Sequence, residues 1–353
     1  MKKSILLVFS FLFTSSFLFS QNRSEPRSYV AYRTVDTIII DGIAEEASWE
    51  KSDFSEDFID IEGVKTPKYQ TNVKMLWDDS YLYFYAKMEE PHIWATLKQR
   101  DTVIFYNNDF EIFIDPDGDA QNYMEFEMNA LNTVWDLFIV KPYREPSPII
   151  DNWDIKGLKS AVHIEGSLND PSNQDKFWSV EVAMPWEALK EANVYGNGHA
   201  NNFWRINFSR VNWDFELENQ RYSRKTDENG NFLPENNWVW SPQGVINMHE
   251  PEHWGYVFFS SETVGNTIQF EIPEDEKIKW YLFQLYRNQK AYHNEHGEWA
   301  KQLENIIEEP LIINGRSIKA ELENHLAGWN ISIESPDRGN TYVITQEGRL
   351  ITI

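Results

Sequence analysis

The sequence predicts a mainly β protein: an antiparallel β-sandwich, jelly-roll-like, followed by a small α+β unit. Between Val35 and Ser260, apolar residues recur at every second position in short runs separated by long polar loops. That is the period of strands with one buried face. Strands do not alternate with long helices there, which argues against a doubly wound α/β sheet. After Ser260 the pattern changes. Pro273 to Glu309 is rich in Glu, Lys, Leu and Tyr with no internal Pro, and strand-like segments return from Ile318 to Ile353. The chain accordingly divides into residues 1–20, a signal peptide; 21–260, the sandwich; and 261–353, a small α+β domain.

Each element has a local reason. Lys2 and Lys3 precede an apolar run from Ile5 to Phe19, and Ser20-Gln21 is a cleavage point of the secretory kind. Ile38-Ile-Ile-Asp-Gly reads as a short strand entering a turn, and Ala44 to Trp49 as one helical turn. Met75 to Pro91 holds two strands joined by a tight Asp-Asp-Ser turn. In the run from Asn108 to Asp119, Phe110, Ile112 and Ile114 form one face, and Glu111 and Phe113 form the other. Asp115-Pro-Asp-Gly-Asp then ends the strand in an acidic turn. Tyr123 to Ala130 alternates again. Trp178, Val180, Val182 and Met184 form another apolar face, and Pro185 opens a short helix. Phe203 to Val211 and Trp254 to Phe259 close the series. Further on, Gly297 splits the helical stretch in two. The segments WNISIES, TYVITQ and RLITI read as strands.

Composition narrows the function. The formal net charge is −24, which argues against nucleic acid and anionic membrane surfaces. There is no cysteine, so disulfides, thiol catalysis and thiolate metal sites are excluded. No apolar run beyond the leader approaches the ~20 residues of a membrane span. With 15 Trp, aromatic side chains exceed what a core of this size needs. Exposed tryptophan suits stacking on the C–H faces of sugars, whose hydroxyl edges take hydrogen bonds from carboxylates and amides.

The residues suggest several chemistries. Glu111, opposite an apolar strand face, is a ligand candidate. Asp115, Asp117 and Asp119 crowd carboxylates into one turn, as a hard cation such as structural calcium requires. Glycoside hydrolysis needs two carboxylates across a cleft. Glu127 is the candidate partner for Glu111, and the two would share a raised pKa if they paired across the sheet. Haem b held by Met and His is a further alternative, with Met248 and His249 adjacent and His92, His163 and His253 elsewhere. No P-loop, nucleophile elbow or HExxH motif occurs.

Six segments, in order from Val35 to Ser260, resemble the family 9 carbohydrate-binding modules: IDGIAEEASW, VKMLWDDSYLYFYAKMEEP, NDFEIFIDPDGD, EFEMN, WSVEVAMPWEAL and WSPQG…HEPEHWGYV. The resemblance implies a two-sheet antiparallel sandwich, often with structural calcium, that grips a glycan end between two tryptophans. It implies sugar-binding roles for Glu111 and Asn129. One stacking position falls at or near Phe105, and the other near Met248 or His249. A sugar-binding arginine of the family corresponds to Glu127, a reversed charge. Trp135, Trp153, Trp94 or Trp213 could supply a missing aromatic wall, and Arg100 the missing cation. The resulting expectation is an exported, non-catalytic binder of a plant- or algal-type polysaccharide of the xylan or β-glucan class. The alternatives are a glycoside hydrolase and a haem b protein.

Overall fold

The computed structural model describes residues 25–193, 198–307, 309–336 and 339–353. The signal peptide assigned to residues 1–20 lies outside them. Fifteen strands make the sandwich and its hairpins: β1 (Ser28–Arg33), β2 (Ile59–Asp60), β3 (Thr71–Trp77), β4 (Tyr81–Glu89), β5 (Asp109–Asp115), β6 (Tyr123–Asn129), β7 (Val134–Ile139), β8 (Ile149–Ile150), β9 (Lys159–Glu165), β10 (Phe177–Pro185), β11 (Phe203–Asn212), β12 (Phe215–Glu218), β13 (Arg221–Arg224), β14 (Asn236–Val239) and β15 (Gly255–Thr263). Two short helices, α1 (Ala47–Lys51) and α2 (Trp186–Leu189), lie among them.

One layer runs β8-β7-β6-β5-β11-β15, with β14 and β2 attached beyond β11; the other runs β1-β3-β4-β10-β9. The predicted alternation falls as expected. Phe110, Ile112 and Ile114 from β5, Val73, Met75 and Trp77 from β3, and Trp178, Val180, Val182 and Met184 from β10 are all buried in one shared core. The pairings are antiparallel except at β1, which runs parallel to both β15 and β3. It passes from the edge of one layer to the edge of the other, with a register break between Ala31 and Arg33.

A buried ion pair links the layers. The Arg210 guanidinium, on the inner face of β11, donates to Glu90 Oε2 at 2.7 Å, to Thr71 Oγ1 at 2.9 Å and to the Glu89 carbonyl at 2.7 Å. Asn108 and Asn212 also donate to Glu90.

Two sequence expectations need correction. Ile38–Ile40 is extended but joins no sheet. Its neighbours' N–H groups are taken by carboxylates instead of a strand: Ile39 N–H by Glu46, and Asp41 and Gly42 N–H by Glu181. Gly42 has φ +88°, and a Cβ there would meet the His163 backbone nitrogen at 2.6 Å. Beyond the sandwich, a single helix, α3 (Asp275–His296), replaces the expected pair. Gly297, at φ 73°, ends it by donating its N–H to the His293 carbonyl. Gln289 then clamps both the N–H and the carbonyl of Ala300, holding the following segment beside α3 in place of a second helix. Only a single turn forms, at Leu303–Asn305.

After β16 (Ile312–Ile313) and β17 (Arg316–Ser317), α3 packs its apolar side on a four-stranded antiparallel sheet. The strands are β18 (Ala320–His325), β19 (Gly328–Glu334), β20 (Thr341–Thr345) and β21 (Leu350–Thr352). No sequence signal marked β18, because most of AELENH is polar and exposed.

The Arg210–Glu90 pair yields a test. Glu90→Ala leaves a buried guanidinium without its counter-charge and should cost about 3–5 kcal/mol. Glu90→Leu with Arg210→Met should recover most of it. Urea unfolding of both variants checks this; a single variant as stable as the parent would show that the pair does not hold the layers.

Candidate functional site

The outer face of β5, β6, β7, β11 and β14 is not a flat solvated sheet. Phe113, Tyr123, Leu137, Ile139, Val239, Met248 and Trp254 form a second small core there. Beside it opens a cleft of about 240 Å³. Strand pairing builds its floor. Glu111 lies directly opposite Glu127 across the β5–β6 ladder, and Phe113 opposite Glu125. Asp109, two residues before Glu111, shares its face. All four acids are buried, none more than 5% exposed. Trp135 pairs with Glu127 on the far side, and Ser209 with Glu111. Phe105, Tyr143, His249, Glu235, Asn237 and Asn247 supply walls and rim.

Few donors meet these acids. Phe105 N–H donates to Glu127 at 3.1 Å, and Val211 N–H to Asp109 at 3.3 Å. Among the described residues none of the four makes an ion pair, and no Lys or Arg lines the cleft. Asp109 Oδ2, Glu125 Oε2 and the Trp135 indole N–H have no hydrogen-bond partner. Burial, with the charge of Glu235, pushes the Glu111 carboxyl up to about 7. Burial, with the charge of Glu111, holds Asp109, Glu125 and Glu127 well above the usual carboxylate range.

The walls are set by loops. His249 accepts or donates at Nδ1 with the Tyr123 hydroxyl at 2.8 Å and stacks on Tyr143, ring centroids 3.6 Å apart. Burial and the nearby Arg144 guanidinium lower its pKa to about 3, so it is neutral. The C-terminal unit braces the same loops. Arg144 pairs with Glu252, and Arg287 of α3 pairs with Glu250 and Glu252, on either side of the residues that carry Tyr143 and His249.

The structure therefore brings together Glu111, Glu127, Phe105, Trp135 and His249. It does not bring in Asn129 or Arg100. Asn129 shares the face of Glu127, but its amide is consumed internally: Nδ2 donates to the Leu97 carbonyl, and Oδ1 accepts from Leu131 and Thr133 N–H. Arg100 is held by Asp136 and Asp154 at a separate rim. Of the substitute tryptophans, only Trp135 lines the cleft. Trp94 and Trp213 pack together beneath Phe105, and Trp153 donates to Glu191. Asp115, Asp117 and Asp119 do cluster within 4.8 Å of one another. Asp115 is engaged by the N–H groups of Gly118 and Ala120, however, and Asp119 by Arg349 Nε at 3.1 Å. Leu350 N–H also meets the Asp119 carbonyl, so the turn docks the C-terminal unit. Neither His92, which bonds Tyr222, nor His163 lines the cleft beside Met248.

Among the charged and aromatic residues at or beneath the cleft, Asp109, Glu125, Tyr143 and Glu235 are not among the sequence-predicted site residues. Asp109 and Glu125 were readable from period two, since they share faces with Glu111 and Glu127. Tyr143 and Glu235 arrive on distant loops, and no local pattern marks them.

The fold and cleft define a class: a β-sandwich with an acidic, aromatic-walled recess on one sheet. Residues 40–202 match the family model described as carbohydrate family 9 binding domain-like. The match includes Glu111, Glu125, Glu127 and Trp135. No curated protein sequence matches the chain. Among solved structures, a candidate carbohydrate-binding protein of Bacteroides uniformis is 15% identical with a TM-score of 0.48, covering 67% of this chain and all of that one. A family 9 module of Caldicellulosiruptor kristjanssonii solved with cellotriose is 14% identical with a TM-score of 0.42, covering 69% of this chain and all of its own. The same module solved with glucose gives 14% and 0.44 at the same coverage.

The crowded carboxyls predict a pH dependence. Above about pH 4.5 the unfolded chain releases protons that the folded cleft retains, so stability falls as pH rises towards about 7. In EDTA-containing buffer, Glu127→Gln should flatten this slope and melt higher than the parent at pH 7. Parallel melting curves for parent and variant across that window would contradict it.

Proposed function

We propose that the protein is an exported carbohydrate-binding protein that holds a saccharide in the Glu111–Glu127 cleft without cleaving it. The observation that carries this reading is the meeting of carboxylates with Phe105, Trp135 and Tyr143 in one recess on a family 9-like sandwich. Carboxylates accept bidentate hydrogen bonds from sugar hydroxyls, and the aromatic faces take C–H groups. A cleft of about 240 Å³ is smaller than the ~300–1,000 Å³ of most ligand pockets. It suits one sugar unit or a chain end better than a chain threaded along a groove. The proposed partner is a neutral polysaccharide of the xylan or β-glucan class, whose hydroxyls donate without adding charge to an acidic floor. Export is supported by Lys2, Lys3 and the apolar run to Phe19. Among the described residues, no helix is long and apolar enough to cross a membrane.

Non-catalytic binding is favoured by the placement of the acids. Glycosidases set two carboxyls on opposite sides of the scissile bond. Glu111 and Glu127 instead sit side by side on one floor, paired across the ladder.

Calorimetry with xylo- and cello-oligosaccharides tests the reading. Glu111→Ala should lose about 1.5–3 kcal/mol, a roughly 10- to 150-fold weakening. Trp135→Ala should weaken binding too. Unchanged affinity in both variants would place the site elsewhere. Release of reducing sugar from the same glycans, abolished by Glu127→Gln, would make the protein a hydrolase.

A further inference from the structure

The cleft floor poses an electrostatic problem that saccharide binding does not solve. Asp109, Glu111, Glu125 and Glu127 lie together, each at least 95% buried. Like charges this close and this far from water cannot all remain ionised without compensation. Elsewhere in the molecule, buried acids have cations or several N–H donors: Glu90 has Arg210, Glu276 has Arg205 and Lys279, Glu250 and Glu252 have Arg287, and Glu181 takes the N–H groups of Asp41, Gly42 and the Trp49 indole. Among the described residues the cleft acids have no cation, and only Phe105 and Val211 N–H groups donate to them.

The arrangement also matches what a metal ion requires. One carboxylate oxygen each from Asp109, Glu111 and Glu127 lies within 4.8 Å of the others. Ligands held ~2.4 Å from a central calcium ion lie no more than ~4.8 Å apart, so three such oxygens fit one coordination sphere. Asp109 Oδ2 and Glu125 Oε2, both buried, have no hydrogen-bond partner. A buried carboxylate oxygen left unpaired is costly, and an ion is the partner that would satisfy it. The donor set is all oxygen, with no cysteine in the chain and His249 Nδ1 already engaged by Tyr123. That selects a hard divalent cation over zinc or copper.

We propose that Asp109, Glu111 and Glu127, with Glu125 beside them, form a calcium-type divalent cation site on the floor of the cleft. It is distinct from the Asp115–Asp119 turn, whose acids are engaged by backbone N–H groups and Arg349. The ion neutralises part of the floor, and its remaining coordination positions open into the cleft, where water or a ligand oxygen can complete the shell. The site does not depend on the saccharide reading, because its ligands are all protein groups.

The test uses the full secreted chain stripped with EDTA and titrated with calcium by calorimetry. Terbium provides a parallel probe, since Trp135, paired with Glu127, is placed to sensitise its luminescence. The parent should bind calcium with an affinity no weaker than ~1 mM, the range of extracellular modules. Asp109→Asn and Glu127→Gln should each lose that binding, or weaken it by more than the ~10- to 100-fold expected of an outer-shell partner. They should also lose the terbium signal. Both variants remove a crowded charge, and their melting curves without metal confirm that they fold. No calcium binding by the parent, or equal stoichiometry and affinity in the parent and both folded variants, overturns the proposal. Because saccharide affinity is read separately, failure of one reading leaves the other measurable.

Discussion

The register of β5 against β6 is the constraint on which the rest depends. Side chains alternate strictly along a strand, so one register decides at once which residues enter the core and which face the cleft. With Glu111 opposite Glu127, the set Phe110, Ile112, Ile114, Met124, Phe126 and Met128 is buried between the layers. The same choice forces Asp109, Glu111, Glu125 and Glu127 together on the other face. A slip by one residue would bury four acids in the apolar core, a far larger penalty than crowding them in a cleft. The apolar alternation thus holds in place an acidic cluster that would otherwise push its strands apart.

The second structural theme is that the C-terminal unit supports the cleft without lining it. Tyr143 and His249 come from loops with no sheet pairing of their own. Each is flanked by a residue tied into the Arg144–Glu250–Glu252–Arg287 network, and Glu145 meets Tyr286 of α3. Several buried charges sharing hydrogen bonds specify one arrangement more strongly than an apolar contact of the same size. The helix therefore fixes the spacing between the Tyr143–His249 wall and the Glu111 floor. The acidic turn at Asp115–Asp119 extends this role, holding Arg349 and the β21 end of the small sheet against the sandwich. An acidic turn that reads as a cation loop in sequence here receives a cation from its own chain.

What the sequence revealed follows from the range of the forces involved. Strand faces were legible because period two is local: β3, β4, β5, β6, β10 and β11 stand where alternation puts them, and the pairing of Glu111 with Glu127, only a condition in the sequence, is met in the β5–β6 ladder. The parallel placement of β1 was not, since β1 is defined by which edges remain open after the other strands have paired. Asn129 misled because shared strand face predicts direction and not engagement. Its amide points outward as expected but is claimed by Leu97, Leu131 and Thr133. Arg100 misled for the opposite reason, being close in sequence to the cleft strands but captured by Asp136, whose side chain leaves β7 on the other face from Trp135. Tyr143 and Glu235 required the tertiary fold.

The chain's acidity has two separate origins, and only one of them selects a ligand. Most of the −24 formal charge is spread over exposed residues, where water and salt screen it beyond roughly 8–10 Å. That part bears on solubility and on repulsion of polyanions. The cleft acids are few and buried, so their field is screened little and acts on whatever enters. An incoming uronate or sulfated sugar would add a further negative charge to a floor that already resists ionising, whereas a hydroxyl donor or a metal ion would relieve it. Phe105, Trp135 and Tyr143 add apolar faces, which a bare ion does not need and a sugar ring does. The floor and the walls thus answer to different parts of a ligand: charge compensation from below, C–H contact from the sides. On the proposed saccharide-binding reading, a recess with both favours neutral polyols, with or without an ion beneath them, over acidic ones.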